Sequence, residues 1–214
     1  DLVAEQEAVR ISSDRETFYA AEPEFWKQRQ ENLLTMVKRY HDQYPLRAGI
    51  SREELKSQFK DQEFIFELSL KALRERDELL QAGPLIKRPD HRIQFTADQE
   101  KAVKALMDQF HTDPFMPPTV KDCRDALGDE VYNALLTLGK LKQINSEVVF
   151  LPATYEEAVE RVRRYLETNQ GLTVAEARDL FKSSRRYILA LLEHLDGLGI
   201  TVRMGDVRHL KRAA

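Results

Sequence analysis

One pattern recurs along this chain and restricts what it can fold into. A long amphipathic helix, a short capped helix, a third helix and a β-hairpin follow one another three times. The long helices are expected at 22–44, 96–111 and 154–169. Pro23 suits the first turn of a helix, and Thr96-Ala-Asp-Gln and Thr154-Tyr-Glu-Glu read as capping-box starts. The short helices open at Ser51, Thr119 and Thr173, each with an acid three residues on: Glu54, Asp122 and Glu176. Leu55 and Phe59, Cys123 and Leu127, and Ala177 and Phe181 then share an inward face. The third helices are expected at 61–80, 129–142 and 183–198, with stripes through Leu70 and Leu73, Leu135 and Leu138, and Leu191 and Leu195. Hairpins close the units at 81–95 around Arg88-Pro-Asp-His91, at 143–151 around Asn145-Ser146, and at 200–210 around Gly205-Asp206.

Helix, short helix, helix and hairpin is the order of a winged helix. The chain is therefore expected to be mainly α with small β-hairpins (α+β), an elongated tandem array of winged-helix domains at 22–95, 96–152 and 153–214. A solenoid of helix pairs would share the period but lacks the closing β-ribbon. Residues 1–21 hold only a hairpin, with a polar turn at 12–16. It reads as the wing of a preceding module, or else as an arm pairing onto the first complete one. Linkers at 20–23, 95–97 and 151–154 are short, which favours a fixed string over loose beads.

The net charge of −3 excludes a chain that coats nucleic acid along its whole length. The charge is uneven, however. Residues 182–212 hold seven cations against three anions, a balance of +4 that leaves −7 elsewhere. Cys123 is the only cysteine, so no internal disulfide forms, as suits a reducing cytoplasm. No apolar run approaches the roughly 20 residues that span a bilayer, and no signal peptide is visible. The start at Asp1, without Met, reads as a fragment of a longer protein. Catalytic signatures are missing too: there is no G-x-x-x-x-G-K-[ST], no G-x-S-x-G, and no His beside Cys123. His41, His91, His111, His194 and His209 are scattered without metal-ligand spacing. Glu53-Glu54 and Glu156-Glu157 lie in first helical turns, where the helix dipole favours them. A binding module without cofactor or metal is expected, not an enzyme.

The sharpest signal is a departure within the repeat. The first two copies place acids at the start of the third helix, Asp61 and Glu63, then Asp129 and Glu130. The last copy has Lys182, Ser183, Ser184, Arg185, Arg186 and Tyr187 there. Cations at a helix N-terminus are unfavourable unless an anion joins them, and backbone donors with two arginines would hold a phosphate. Ser183 or Ser184 is expected to cap this helix. Tyr187 would stack on a base or staple the helix to the core. The last wing adds Arg203, Arg208, His209, Lys211 and Arg212 around Gly205-Asp206. A solvated, edge-protecting ribbon would explain that charge, but with the helix start also basic the wing is read as a nucleic-acid contact. Lys87, Arg88 and Arg92 form a weaker patch on the first complete wing, read as solvated.

The run TVAEARDLFKSSRRYILALLEHLDGLGITVRMGDVRHLKR, residues 173–212, strongly resembles the end of SelB, the bacterial selenocysteine-specific elongation factor family, and the resemblance extends over the whole chain. It implies a GTPase half, holding GTP and Mg, followed by four winged helices. This chain would then be the first module's wing and the three that follow. It implies as partners a hairpin in selenoprotein mRNA beside a UGA codon, with selenocysteyl-tRNA and the ribosome engaged by the full factor, as a monomer away from membranes. It also implies RNA contacts by Lys182, Ser183, Ser184, Arg185, Arg186 and Tyr187, and by Arg203, Gly205, Asp206 and Arg208. Some members have two adjacent arginines where this chain has Val202 and Arg203; His209, Lys211 and Arg212 would compensate. Two alternatives stay open from the residues: a DNA-binding winged-helix regulator, and a tandem winged-helix scaffold for protein interactions.

Overall fold

Among the described residues, side-chain caps open four helices and a proline opens two more. The computed structural model describes residues 9–12 and 18–211, and the chain divides into two compact units, 1–94 and 95–214. The turn residues expected at 13–16 lie outside the described residues.

In the first unit, β1 (Val9–Ser12) pairs antiparallel with β2 (Phe18–Ala21). Pro23 opens α1 (Pro23–Gln43), and β3 (Ile50–Ser51) leads into α2 (Arg52–Phe59). The Ser51 hydroxyl accepts from the Glu54 N–H at 3.1 Å, satisfying a donor the helix itself cannot. α3 (Glu63–Glu75), β4 (Leu80–Ala82) and β5 (Leu85–Lys87) complete the unit, with strand order β3-β5-β4. Leu33, Val37, Leu55, Phe66, Leu70, Leu73 and Ile86 form its core.

The second unit holds α4 (Ala97–Thr112), α5 (Val120–Leu127), α6 (Asp129–Thr137), β6 (Lys142–Gln143) and β7 (Val149–Phe150). It continues through α7 (Pro152–Thr168), β8 (Leu172–Thr173), α8 (Val174–Phe181), α9 (Arg185–Gly197), β9 (Thr201–Met204) and β10 (Val207–Leu210). Full capping boxes start α4, α5 and α8, from Thr96 with Gln99, Thr119 with Asp122, and Thr173 with Glu176. The order β8-β10-β9 repeats that of the first unit. Helices thus alternate with small antiparallel sheets, an α+β tandem of winged helices.

The structure corrects several local expectations. α3 stops at Glu75, soon before Asp77, which takes a positive φ of 56°. The first complete wing turns at Gly83-Pro84, where Gly83 supplies φ +58°, so Arg88-Pro-Asp-His91 follows the wing instead of forming its tip. α6 ends at Thr137, and Leu138 falls off the apolar stripe at 43% exposure. α7 begins at Pro152, two residues before Thr154, which is buried in the first turn and caps nothing.

The middle repeat differs in a way that affects the site. Two residues before the short-helix cap stand Gly49 and Gly171 in the outer repeats, but Pro117 in the middle one. Both glycines lie close against the wing: a Cβ on Gly49 would come within 2.6 Å of the Ile86 carbonyl oxygen, and one on Gly171 within 2.2 Å of Val207 Cγ1. The middle sheet has two strands, β6 and β7. At the first residue of α5, the Val120 N–H donates to the Glu147 carbonyl of the wing at 2.9 Å. One core then runs through the second unit, from Val148 and Phe150 of the middle wing to Leu191 and Leu195 of α9, with Phe115 and Ile144 packed against it.

Candidate nucleic-acid interface

α8 ends on Lys182, whose φ of 49° and ψ of 44° turn the chain left-handed into α9. Lys182, Arg185 and Arg186 are exposed around this corner. Ser184 holds the N-cap position of α9 in extended conformation, yet its side chain makes no cap hydrogen bond, and the first turn has no acid. The N-terminal amides of α9 are thus left without a side-chain acceptor and lie beside two guanidiniums, an arrangement that attracts an anion. Among the described residues, Lys182 and Arg185 have no carboxylate partner, whereas Arg186 has Glu147 of the middle wing at 3.8 Å.

The first two repeats neutralise the same corner. Lys56 pairs with Glu63 at 2.6 Å and Arg29 with Asp61 at 3.0 Å, while Arg124 pairs with Asp129 at 3.4 Å.

Two residues expected to meet RNA face inward. Ser183 is 8% exposed, and its hydroxyl donates to the Phe115 carbonyl at 2.5 Å. Tyr187 is half-buried, donates to the Pro117 carbonyl at 2.6 Å, and tilts against Phe150 with ring centroids 6.4 Å apart. Burial raises the Tyr187 pKa, which keeps that donor protonated. The Ser183 cap is therefore corrected: its hydroxyl is engaged by a different repeat.

On the last wing, Gly205 takes φ +62° at the turn. Arg203 is exposed and folds over this turn, its Nε donating to the Gly205 carbonyl at 2.8 Å and its guanidinium 3.6 Å from exposed Asp206. Arg208 lies directly opposite Arg203 in the register. It is nevertheless 1% exposed, with its Nε 3.4 Å from Asp196, which also accepts from Thr201 Oγ1 at 2.5 Å. Alternation puts Thr201, Arg203, Arg208 and Leu210 on one face, toward α9, and of its two arginines only Arg203 lies near enough to the turn to reach water. Arg208 is consequently not an exposed wing cation as expected. His209 is half-buried on the opposite face beside Gly171, Lys211 is exposed, and Arg212 lies outside the described residues.

Sequence reading missed Glu147 and Asp122. Hydrogen bonds from the Thr119 hydroxyl and amide hold the Asp122 carboxyl below the usual range, and the nearby Arg186 charge adds to this. No local motif joins residues of two repeats so distant in sequence.

Successive winged-helix units with the last helix start stripped of acids define a tandem winged-helix protein with one basic end. Family models described as the winged helix of elongation factor SelB match residues 34–87 and 164–210. A selenocysteine-specific elongation factor from Desulfomicrobium baculatum is 28% identical over 192 residues, covering 84% of this chain and 30% of that protein. The chain spans about a third of the length of the curated relatives it matches. Among solved structures, a bacterial selenocysteine-specific elongation factor, EF-Sec, superposes with a TM-score of 0.51 and 21% identity over 96% of this chain and 32% of that one. The mRNA-binding domain of Escherichia coli SelB, solved with SECIS RNA, aligns at a TM-score of 0.44 and 19% identity over 55% of this chain and 100% of its own. Over residues 34–87 and 164–210 the chain is thus similar to the winged-helix region of elongation factor SelB.

Proposed function

We propose that this chain is the mRNA-reading region of a selenocysteine-specific elongation factor. It grips the selenocysteine insertion hairpin of a selenoprotein message, so that selenocysteyl-tRNA is delivered at UGA on the ribosome in the cytoplasm. The observation that carries the reading is the start of α9, with uncapped amides and no first-turn acid beside exposed Lys182, Arg185 and Arg186. Arg203 and the Gly205-Asp206 turn supply a second contact, with His209 and Lys211 at its margin. An RNA duplex buries its base edges in a deep groove, so a small basic wedge suits a loop with splayed bases. In this reading 22–95, 96–152 and 153–214 are successive winged helices, and 1–21 is the wing of one before them.

The region acts by binding, not catalysis. The family's nucleotide and magnesium do not fit the residues present: the sequence has no phosphate-cradling glycine loop, and among the described residues no group of three or more His, Cys, Asp or Glu is placed to hold a metal ion. That chemistry belongs to a separate GTPase half of the full factor. No described helix is long and apolar enough to cross a membrane.

Titration against an RNA stem-loop with a looped-out base, and against duplex DNA of matching sequence, tests the reading. Preference for the stem-loop is expected. Equal affinity would favour a DNA-binding winged helix, and no salt-dependent affinity for either would favour a protein-interaction scaffold.

A further inference from the structure

Ser183 and Tyr187 flank the two exposed arginines of α9, yet both hydroxyls point into the preceding repeat. The segment they meet, 115–118, is the one that lacks a strand. In the outer repeats the matching residues are glycines lying close against the wing. In the middle repeat Pro117 breaks that pattern, and its carbonyl is left for Tyr187. Phe115 is itself fixed, its ring 4.9 Å from Phe181 of α8 with the Arg161 guanidinium 5.1 Å above it. The seat is thus packed in place at Phe115, and it holds the α9 start at residues 183 and 187, on either side of Arg185 and Arg186.

We infer that the RNA-reading surface is a composite of two repeats: Ser183 and Tyr187 are positioning residues, which lock the start of α9 onto the Phe115 and Pro117 carbonyls and thereby aim Arg185 and Arg186. This rests on the RNA-binding reading above and changes what two of its residues do. They act through the arginines and touch no RNA. A guanidinium clamp gains its strength from fixed geometry, so loosening its base weakens it without removing any charge.

The test uses the whole chain and a double-mutant cycle on the stem-loop RNA. Tyr187→Phe deletes one oxygen and keeps the ring packed, and Ser183→Ala is its independent counterpart. Each should weaken RNA binding about three- to tenfold, the range of one lost hydrogen bond. Each should also flatten the salt dependence, because phosphate contacts are held less firmly. In an Arg185→Ala, Arg186→Ala background the further loss should vanish. Additive losses in that background would make the hydroxyls direct RNA contacts and overturn the inference. Unchanged affinity in both single variants, with a lowered melting temperature, would overturn it in favour of a purely structural role. If the unsubstituted chain shows no preference for the stem-loop, the RNA reading itself fails and takes the inference with it.

Discussion

Arg186 already has one anion beside it. Glu147 stands 3.8 Å away in a surface pair with both side chains more than half exposed, a contact worth little in water. A phosphate seated on the α9 amides would compete well for the same guanidinium. Arg186→Ala and Arg203→Ala should each cost about 1–3 kcal/mol of RNA binding in a titration at fixed salt. Unaltered affinity in both would remove the site. A different residue contributes to the acid response of the first unit. His41 is buried, stacked on His91 with ring centroids 3.7 Å apart, and both its ring nitrogens lack a hydrogen-bond partner. Burial, and then the charges of His91 and Arg88, lower its pKa from 6.5 to about 4. Between those values the unfolded chain binds a proton that the folded chain refuses. The His41 contribution to the stability of this unit should therefore fall as pH drops through that window and level off below it, by about 3 kcal/mol in all. Denaturant melts from pH 7 to pH 4 would show this limb, and His41→Phe should flatten it.

At the scale of elements, what could be read in advance was what is local. The caps at Ser51, Thr96, Thr119 and Thr173 depend on neighbours three residues away, and the structure forms all four. The first complete wing was misplaced because Arg88-Pro-Asp-His91 looks like a turn, whereas Gly83-Pro84 is the one that matches the strand register. The burial of Arg208 and the inward aim of Ser183 depend on Asp196 and Phe115, which no pattern of spacing reveals. The cationic corner itself was legible, since charge composition needs no tertiary contact. The strand before the short helix imposes its own demand. Gly49→Ala would drive a Cβ to within 2.6 Å of a backbone oxygen on β5, which cannot rotate away. It should destabilise the first unit by about 1–3 kcal/mol, the usual cost of overpacking, measurable by denaturant unfolding.

Across the whole molecule the charge is acidic with one basic end, so RNA affinity should depend on few ions. If Lys182, Arg185, Arg186 and Arg203 each meet a phosphate, the logarithm of affinity should fall with the logarithm of salt at a slope of about −3 to −4. A slope near −8 would mean that the chain engages RNA along its length. The lone thiol offers a further measurement. Cys123 is fully enclosed, with its Sγ 3.9 Å from the Pro118 carbonyl, and burial pushes its pKa up to about 12. It is a sulfur enclosed against the same short segment that seats α9. A maleimide can reach it only when its surroundings open, so the labelling rate is a clock for opening of this repeat, the joint with the last one included. Saturating stem-loop RNA should slow that clock. An unaltered rate would mean that the joint breathes independently of what the basic end holds.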